Sequence, residues 1–99
     1  MRESTIEAYL VKEVKRIGGY AFKFTSPGNM GVPDRLCCFY KTIIFVECKA
    51  PGELPTPLQS KVIYNLRQLG LTVLVIDTKE KVDIFIKEVL NDIVEQSRI

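Results

Sequence analysis

A helical segment between two largely apolar stretches is the strongest constraint on the fold of this sequence. Residues 42–49 and 72–76 are rich in β-branched and aromatic side chains, which predicts two strands. Residues 57–69 repeat apolar side chains at helical spacing and begin with Pro57, a residue favoured in the first turn of a helix. This order predicts a parallel strand pair joined by a helical crossover, and the second apolar run predicts a central buried strand.

The rest of the chain adds two helices and two strands. Apolar residues at helical spacing predict helices over residues 4–17 and 80–96, and Ser4 with Glu7 fits a capping box at the first start. Residues 20–25 and 34–40 predict strands, separated by a loop over residues 26–33 that is rich in glycine and proline. The order α-β-β-β-α-β-α predicts an α/β fold, a mixed β-sheet flanked by helices, with residues 1–99 as a single domain.

The composition limits the chemistry. The sequence has no histidine, so acid–base catalysis must come from carboxylates, lysine, tyrosine or metal-bound water. Its three cysteines do not have zinc-site spacing and are expected to be small buried residues in strands. No apolar run approaches the ~20 residues of a membrane span. The charged N-terminus lacks a secretory signal, so we expect an intracellular protein with no membrane partner.

Two acids and a lysine are expected to converge at one end of a hairpin. A turn centred on Tyr40 and Lys41 places Asp34 opposite Glu47, and directly opposed side chains lie about 5 Å apart at Cβ. Lys49 lies two residues beyond Glu47 and therefore projects from the same face. Carboxylates at this spacing suit Mg²⁺ or Mn²⁺, with positions left for water and a phosphate. The lysine could orient or deprotonate that water, or steady a phosphate oxygen.

Ordinary ion pairing is the simpler alternative, and spacing alone favours it. In that case Asp34 and Glu47 only pair with Lys23, Arg35 and Lys49 at a sheet end. Three features favour a functional site instead. The two acids and the lysine fall on one face. Charge appears abruptly at Glu47 after a strand that is otherwise apolar, and Asp34 follows a glycine- and proline-rich loop that allows another backbone to approach closely.

The ordered series of motifs resembles the PD-(D/E)XK nucleases, which have a restriction-endonuclease-like core. More narrowly, it is similar to the VRR-NUC (virus-type replication-repair nuclease) domain, over roughly residues 4 to 76. The residues that carry the resemblance are Glu7, Gly18-Gly19, Ser26-Pro27-Gly28, Gly31-Val32-Pro33-Asp34, Glu47-Cys48-Lys49-Ala50-Pro51-Gly52 and Leu58-Gln59. Asn29 and Met30 stand where that family often has a basic residue.

The resemblance implies a role for each matching residue. Asp34, Glu47 and the backbone carbonyl of Cys48 would bind Mg²⁺ or Mn²⁺, and Lys49 would be the catalytic lysine. Glu7 would approach the site through water or a second metal, and Gln59 would support it from the second helix. Each of these last two has a structural alternative, because Glu7 also fits a capping box and Gln59 could be a capping residue at a helix start.

Cations and loop donors are the candidates for contact with a DNA backbone. The loop offers backbone N–H and hydroxyl donors, and no base-reading motif is present, so recognition is expected to depend on backbone and shape. The candidate DNA-binding residues are Lys12, Lys15, Arg16, Lys23, Ser26, Gly28, Asn29 and Arg35.

These features predict a metal-dependent DNA endonuclease without an organic cofactor. The resemblance further implies a virus-encoded homodimer related to Holliday-junction resolvases, acting on branched DNA such as four-way junctions. The apolar last helix or the exposed sheet edge would supply the dimer interface. Two alternatives are a nucleic-acid-binding module without turnover and a site-specific restriction nuclease, which usually needs a recognition domain that these 99 residues lack.

Overall fold

A computed structural model describes residues 1–97 as one mixed four-stranded sheet with helices on both faces. The elements follow the predicted order α-β-β-β-α-β-α. The helices are α1 (Glu3–Arg16), α2 (Pro57–Gln68) and α3 (Lys79–Ser97), and the strands are β1 (Tyr20–Lys23), β2 (Arg35–Phe39), β3 (Thr42–Cys48) and β4 (Val73–Ile76). No helix in residues 1–97 is long and apolar enough to cross a membrane.

The sheet has the strand order β1-β2-β3-β4. The first three strands are antiparallel, and β4 runs parallel to β3 through the α2 crossover, which confirms the predicted parallel pair. The prediction of a central position for β4 was wrong, because β4 lies at an edge of this sheet. Its apolar run reflects helices on both of its faces, since α2 and α3 both pack against it.

The core lies between the sheet and the pair α1 and α3. Alternate strand residues such as Cys37, Val46 and Cys48 face this core. Cys37 and Cys48 are therefore the small buried residues that the sequence predicted, whereas Cys38 lies half-buried on the opposite face. The core also contains Ile6, Leu10 and Val14 of α1, Ile76 of β4, and Val82, Phe85, Ile86 and Val89 of α3.

Two details of the helices differ from the sequence analysis. The capping box of α1 is absent, because the helix begins one residue early with Arg2 as its N-cap and no side chain caps it. The apolar surface expected on α3 is partly used within the fold, because Phe85 and Ile86 are buried against the molecule's own core and Ile93 packs beside them, whereas Leu90 is 39% exposed. Ile84 and Val94 are exposed as well, so α3 keeps some uncovered apolar surface.

A further uncovered apolar surface lies on the sheet. We define the outer face by two cross-strand rows that point away from the core, Tyr20-Cys38-Ile43 and Phe22-Leu36-Phe45. Tyr20, Phe22 and Ile43 are 67%, 54% and 58% exposed, although the Tyr20 and Phe22 rings stack on each other. Because α2 packs on β4, it leaves this part of the sheet open to solvent.

Candidate active site

The hairpin register brings Asp34 beside Glu47. Phe39 pairs with Thr42 across a two-residue turn, and the pairing continues to Arg35 and Val46, so the next opposed residues are Asp34 and Glu47. This confirms the predicted register. Lys41 makes the turn possible because it adopts a left-handed conformation with φ of 55°, which glycine or asparagine more often takes.

Each of the two acids accepts a hydrogen bond from the other's strand. The amide of Asp34 donates to Oε1 of Glu47 at 3.2 Å, and the amide of Cys48 donates to Oδ2 of Asp34 at 2.9 Å. A third bond, from the amide of Phe24 to the carbonyl of Asp34 at 2.8 Å, holds Asp34 in place beyond the end of β2. The two carboxyl groups are thus fixed by the backbone of the sheet rather than by flexible side-chain contacts.

Glu47 is buried in an environment that disfavours its ionised carboxylate. It is 1% exposed, and it and Lys49 are the two buried charged side chains among residues 1–95. Burial, followed by the neighbouring Asp34 carboxyl group, raises the pKa of Glu47 to about 8. Its Oε2 atom has no hydrogen-bond partner, which is a costly state for a buried oxygen. A cation at this position would relieve both costs.

Lys49 lies between two acids just beyond the end of β3. Its amide donates to the carbonyl of Ile76 at 2.9 Å, which extends the parallel pairing by one residue. Its Nζ atom is 3.6 Å from Oε2 of Glu47 and 3.7 Å from Oε1 of Glu53. The structure therefore joins Glu47 and Lys49 directly, as the sequence predicted, and adds Glu53, which the sequence analysis did not identify.

The donors at this end of the sheet match a hard divalent cation. Asp34 and Glu47 offer carboxylate oxygens, and the unpartnered Oε2 atom of Glu47 is available to a ligand. In the part of the chain that the structure describes, no three His, Cys, Asp or Glu side chains converge as a complete ligand set. Two carboxylates with open positions fit Mg²⁺ or Mn²⁺, because Mg²⁺ retains several waters in protein sites.

Glu7 and Arg35 form an ion pair at the edge of this site. Nε of Arg35 donates to Oε2 of Glu7 at 2.8 Å, and another guanidinium nitrogen donates to the carbonyl of Ala21 at 3.1 Å. Among the described residues, no hydrogen bond or ion pair joins Glu7 to Asp34 or Glu47. The same contacts occupy Arg35, which the sequence analysis had placed among the DNA-binding candidates.

Glu3 is a second acid that the sequence analysis missed. Partial burial, followed by the field of Asp34, raises the pKa of Glu3, and Lys49 and Glu53 also contribute to its electrostatic environment. The N-terminus of α1 is therefore near the ends of β2 and β3. The available signal was spacing, since Glu3 precedes Glu7 by four residues and so lies on the same helix face.

Gln59 forms the capping box of α2. Its Oε1 atom accepts a hydrogen bond from the amide of Thr56 at 2.9 Å, and its own amide donates to Oγ1 of Thr56 at 3.2 Å. Within residues 1–97, no hydrogen bond links Gln59 to Asp34, Glu47 or Lys49. The capping alternative therefore describes the observed contacts, and a role at the site stays a prediction.

The candidate DNA-binding residues occupy two regions. Lys12, Lys15 and Lys23 are exposed, whereas the exposed Arg16 pairs with Glu13 at 3.1 Å. The second region is a tight turn in the loop before Asp34, in which the amide of Asn29 donates to the carbonyl of Ser26 at 2.9 Å and its side chain donates to Oγ of Ser26 at 3.0 Å. Gly28 supports the turn with φ of +81°.

Comparison with known proteins points to a nuclease. The chain is 54% identical over 81 residues to the "Putative nuclease p44" of Acyrthosiphon pisum secondary endosymbiont phage 1, and the match covers 81% of this chain and 87% of that protein. A solved structure described as a VRR_NUC domain superposes with a TM-score of 0.81 at 29% identity. That superposition covers 86% of this chain and 94% of the other. No family model matches the sequence.

The mixed sheet, with an aspartate opposite an E-x-K motif at one end, defines a nuclease domain of the restriction-endonuclease-like class. A nuclease binds nucleic acid, and the chain is therefore a nucleic-acid-binding protein. Sequence and structural similarity agree on the narrower assignment that its motifs indicated. This chain belongs to the VRR-NUC family of nucleases.

Proposed function

We propose that this nuclease is an endonuclease that hydrolyses DNA phosphodiester bonds with Mg²⁺ or Mn²⁺ and acts on branched DNA such as four-way junctions. The observation that carries the proposal is the fixed pair Asp34 and Glu47, in which the buried Oε2 atom of Glu47 has no hydrogen-bond partner and lies 3.6 Å from Nζ of Lys49. Asp34, Glu47 and the carbonyl of Cys48 would hold the cation. The metal would supply an activated water and neutralise charge on the phosphate.

The chain's own residues would position the cation and stabilise the phosphate. The backbone bonds to Asp34 and Glu47 hold both carboxylates in place before substrate arrives, so little reorganisation is needed on binding. Nζ of Lys49 lies 3.6 Å from Glu47 and 3.7 Å from Glu53, so acids hold the lysine on two sides. A lysine held in this way suits a donor that steadies a phosphate oxygen better than a base that takes a proton from water.

Contact with the DNA backbone is assigned to the exposed lysines and the loop before Asp34. Lys12, Lys15 and Lys23 offer charge, and the turn of Ser26, Gly28 and Asn29 offers backbone and side-chain donors for a phosphate. The overall charge of +2 is small, so binding is expected to depend on these local groups. Arg16 and Arg35 would contribute only by leaving their glutamate partners.

A homodimer would give two active sites for the two strands of a junction. We propose that the outer face of the sheet forms its interface, because this face exposes aromatic and aliphatic side chains in two continuous rows. Phe22→Glu would then shift the protein to a monomer in sedimentation experiments, and the exposed control Tyr64→Glu on α2 would not. A wild-type protein that sediments as a monomer at micromolar concentration would contradict the proposal.

Cleavage of linear, flap and four-way DNA, with and without Mg²⁺ or Mn²⁺, tests the activity. We expect metal-dependent cleavage that is fastest on the four-way substrate, and we expect Lys49→Ala to retain binding but lose cleavage. A wild-type protein that binds DNA without cutting it under any metal condition would favour a binding module without turnover. Wild-type cleavage rates in Lys49→Ala would refute the role given to this lysine.

A further inference from the structure

Lys49 is a buried cation held between acids of very different exposure. Its side chain is 7% exposed, and its two carboxylate partners are Glu47 at 1% and Glu53 at 50% exposure. A buried ammonium group is stable only when it is paired, so both carboxylates help to keep Lys49 in this position. The pair of Lys49 with Glu53 therefore differs from an ordinary surface ion pair, which contributes little because both partners are solvated.

The position of Glu53 is set by the turn that follows the E-x-K motif. The amide of Glu53 donates to the carbonyl of Ala50 at 2.9 Å, and Gly52 has φ of +79°. The amide of Gly52 donates to Oδ2 of Asp77 at 3.1 Å, and Oδ1 of the same Asp77 accepts from Lys81 at 2.7 Å. The turn is thereby tied to the end of β4 and the start of α3, so Glu53 is presented to Lys49 by a braced loop.

A divalent cation and Lys49 would compete for the same carboxylate. Oε2 of Glu47 is the atom near Lys49, and it is also the unpartnered oxygen available to a metal. Once Glu47 neutralises a metal, Glu53 is the acid that remains in ion-pair contact with Lys49 within residues 1–97. Without Glu53, the ammonium group of Lys49 would have only the metal-bound Glu47 as its acidic partner and would lie beside the divalent cation, which repels it.

We propose that Glu53 is a positioning residue that carries the counter-charge of Lys49 when Glu47 is committed to the metal. This inference rests on the proposed metal-dependent function. Glu53 acts through Lys49 and is not itself a metal ligand. Its removal therefore weakens metal binding only when Lys49 is present, and it moves Lys49 away from the phosphate without changing the affinity for DNA.

Titration of Mn²⁺ by calorimetry tests the proposal without requiring activity. Mn²⁺ should bind about tenfold more weakly to Glu53→Gln than to wild type, and Glu53→Asp should recover most of the affinity. Glu88→Gln, which removes the same charge from an exposed position on α3, should bind like wild type. In a Lys49→Met background, Glu53→Gln should have little further effect, because the cation that Glu53 neutralises is gone.

Cleavage kinetics give a second readout. Glu53→Gln should lower kcat about tenfold or more while the KM for DNA stays within about twofold, since the lysine is misplaced but the DNA-binding surface is intact. The melting temperature of the metal-free protein should change by about 2 °C or less, because Lys49 keeps its contact with Glu47 when no metal is bound. If unfolding caused the loss of kcat, the melting temperature would fall by more than this.

The outcomes separate this inference from the proposed function. If wild type binds no Mn²⁺, the metal site itself is wrong and the role of Glu53 falls with it. If Mn²⁺ binding depends on Asp34 and Glu47 but is unchanged in Glu53→Gln, the metal site stands and the inference is refuted. The inference is also refuted if Glu53→Gln lowers the affinity for Mn²⁺ equally in the wild-type and the Lys49→Met backgrounds. Glu53 would then act directly on the metal.

Discussion

The backbone amide of Asp34 donates a hydrogen bond to the side chain of Glu47, which comes from the neighbouring strand. The two acids are thereby locked together across a hairpin whose interior is apolar. Such an arrangement is unfavourable for stability, because it buries the carboxyl group of Glu47 beside a second carboxyl group, that of Asp34. The proposed cation would offset this cost, and this relationship leads to the first prediction.

Glu47→Gln should stabilise the metal-free protein at neutral and alkaline pH. The folded-state pKa of Glu47 is raised to about 8, so the folded protein holds a proton that the unfolded chain loses above about pH 4.5. The contribution of Glu47 to stability is therefore greatest below pH 4.5 and declines as pH rises to about 8. Melting temperatures from pH 5 to 8.5 should show a growing advantage of the variant, at about 4–8 °C per kcal/mol.

Addition of Mg²⁺ at pH 8 should reverse the stability advantage of Glu47→Gln. The ion should stabilise folded wild type, whereas the variant lacks the carboxylate at position 47 that would bind it. The exposed Glu88→Gln serves as the control and should show neither effect. A wild type whose stability does not fall between pH 5 and 8, relative to Glu47→Gln, would contradict the assigned burial cost.

Thr56→Ala and Gln59→Ala should have matching effects, since the two residues share one capping box. We expect each substitution to lower the free energy of unfolding by about 1 kcal/mol. Because the observed contacts of Gln59 lie within the cap, kcat measured well below the melting temperature should stay close to wild type in both variants. A selective loss of kcat in Gln59→Ala would instead establish the site role that the family resemblance implies.

Gly31→Ala should destabilise the protein more than Gly28→Ala. Both glycines have positive φ, at +91° and +81°, so both substitutions carry a backbone cost. A Cβ atom at position 31 would also lie 3.0 Å from Cγ of Leu58, whereas position 28 faces open space. Denaturant unfolding should therefore show the larger loss for Gly31→Ala, and equal losses would indicate that this loop does not pack on α2.

Lys23→Ala and Arg35→Ala should separate DNA contact from folding. Lys23 is exposed, so its loss should weaken DNA binding and lower the slope of log affinity against log salt by about 1. Arg35 bonds to Glu7 and to the carbonyl of Ala21, so its loss should cost about 1–3 kcal/mol of stability. A salt slope unchanged in Lys23→Ala would remove that lysine from the binding surface.

The sequence determined the elements and the central pairing of the site. Apolar periodicity identified three helices and four strands, and the period of two in a tight hairpin was enough to bring Asp34 beside Glu47. The same local patterns gave wrong predictions for features that depend on how helices and strands pack against one another. An apolar run indicates burial on both faces, but it does not say whether β4 is central or at an edge, and Ser4 with Glu7 matched a capping box that the helix start at Glu3 does not form.

Only the tertiary structure decided which charges meet. The closing turn after β3 brings Glu53 to Lys49, and the packing of α1 against the sheet brings Glu3 near Asp34. Spacing alone does not predict either approach, because the distance between Glu3 and Asp34 depends on how whole elements pack. Local pattern thus determines which residues occupy a strand end, whereas burial and counter-charge at that end are properties of the assembled fold.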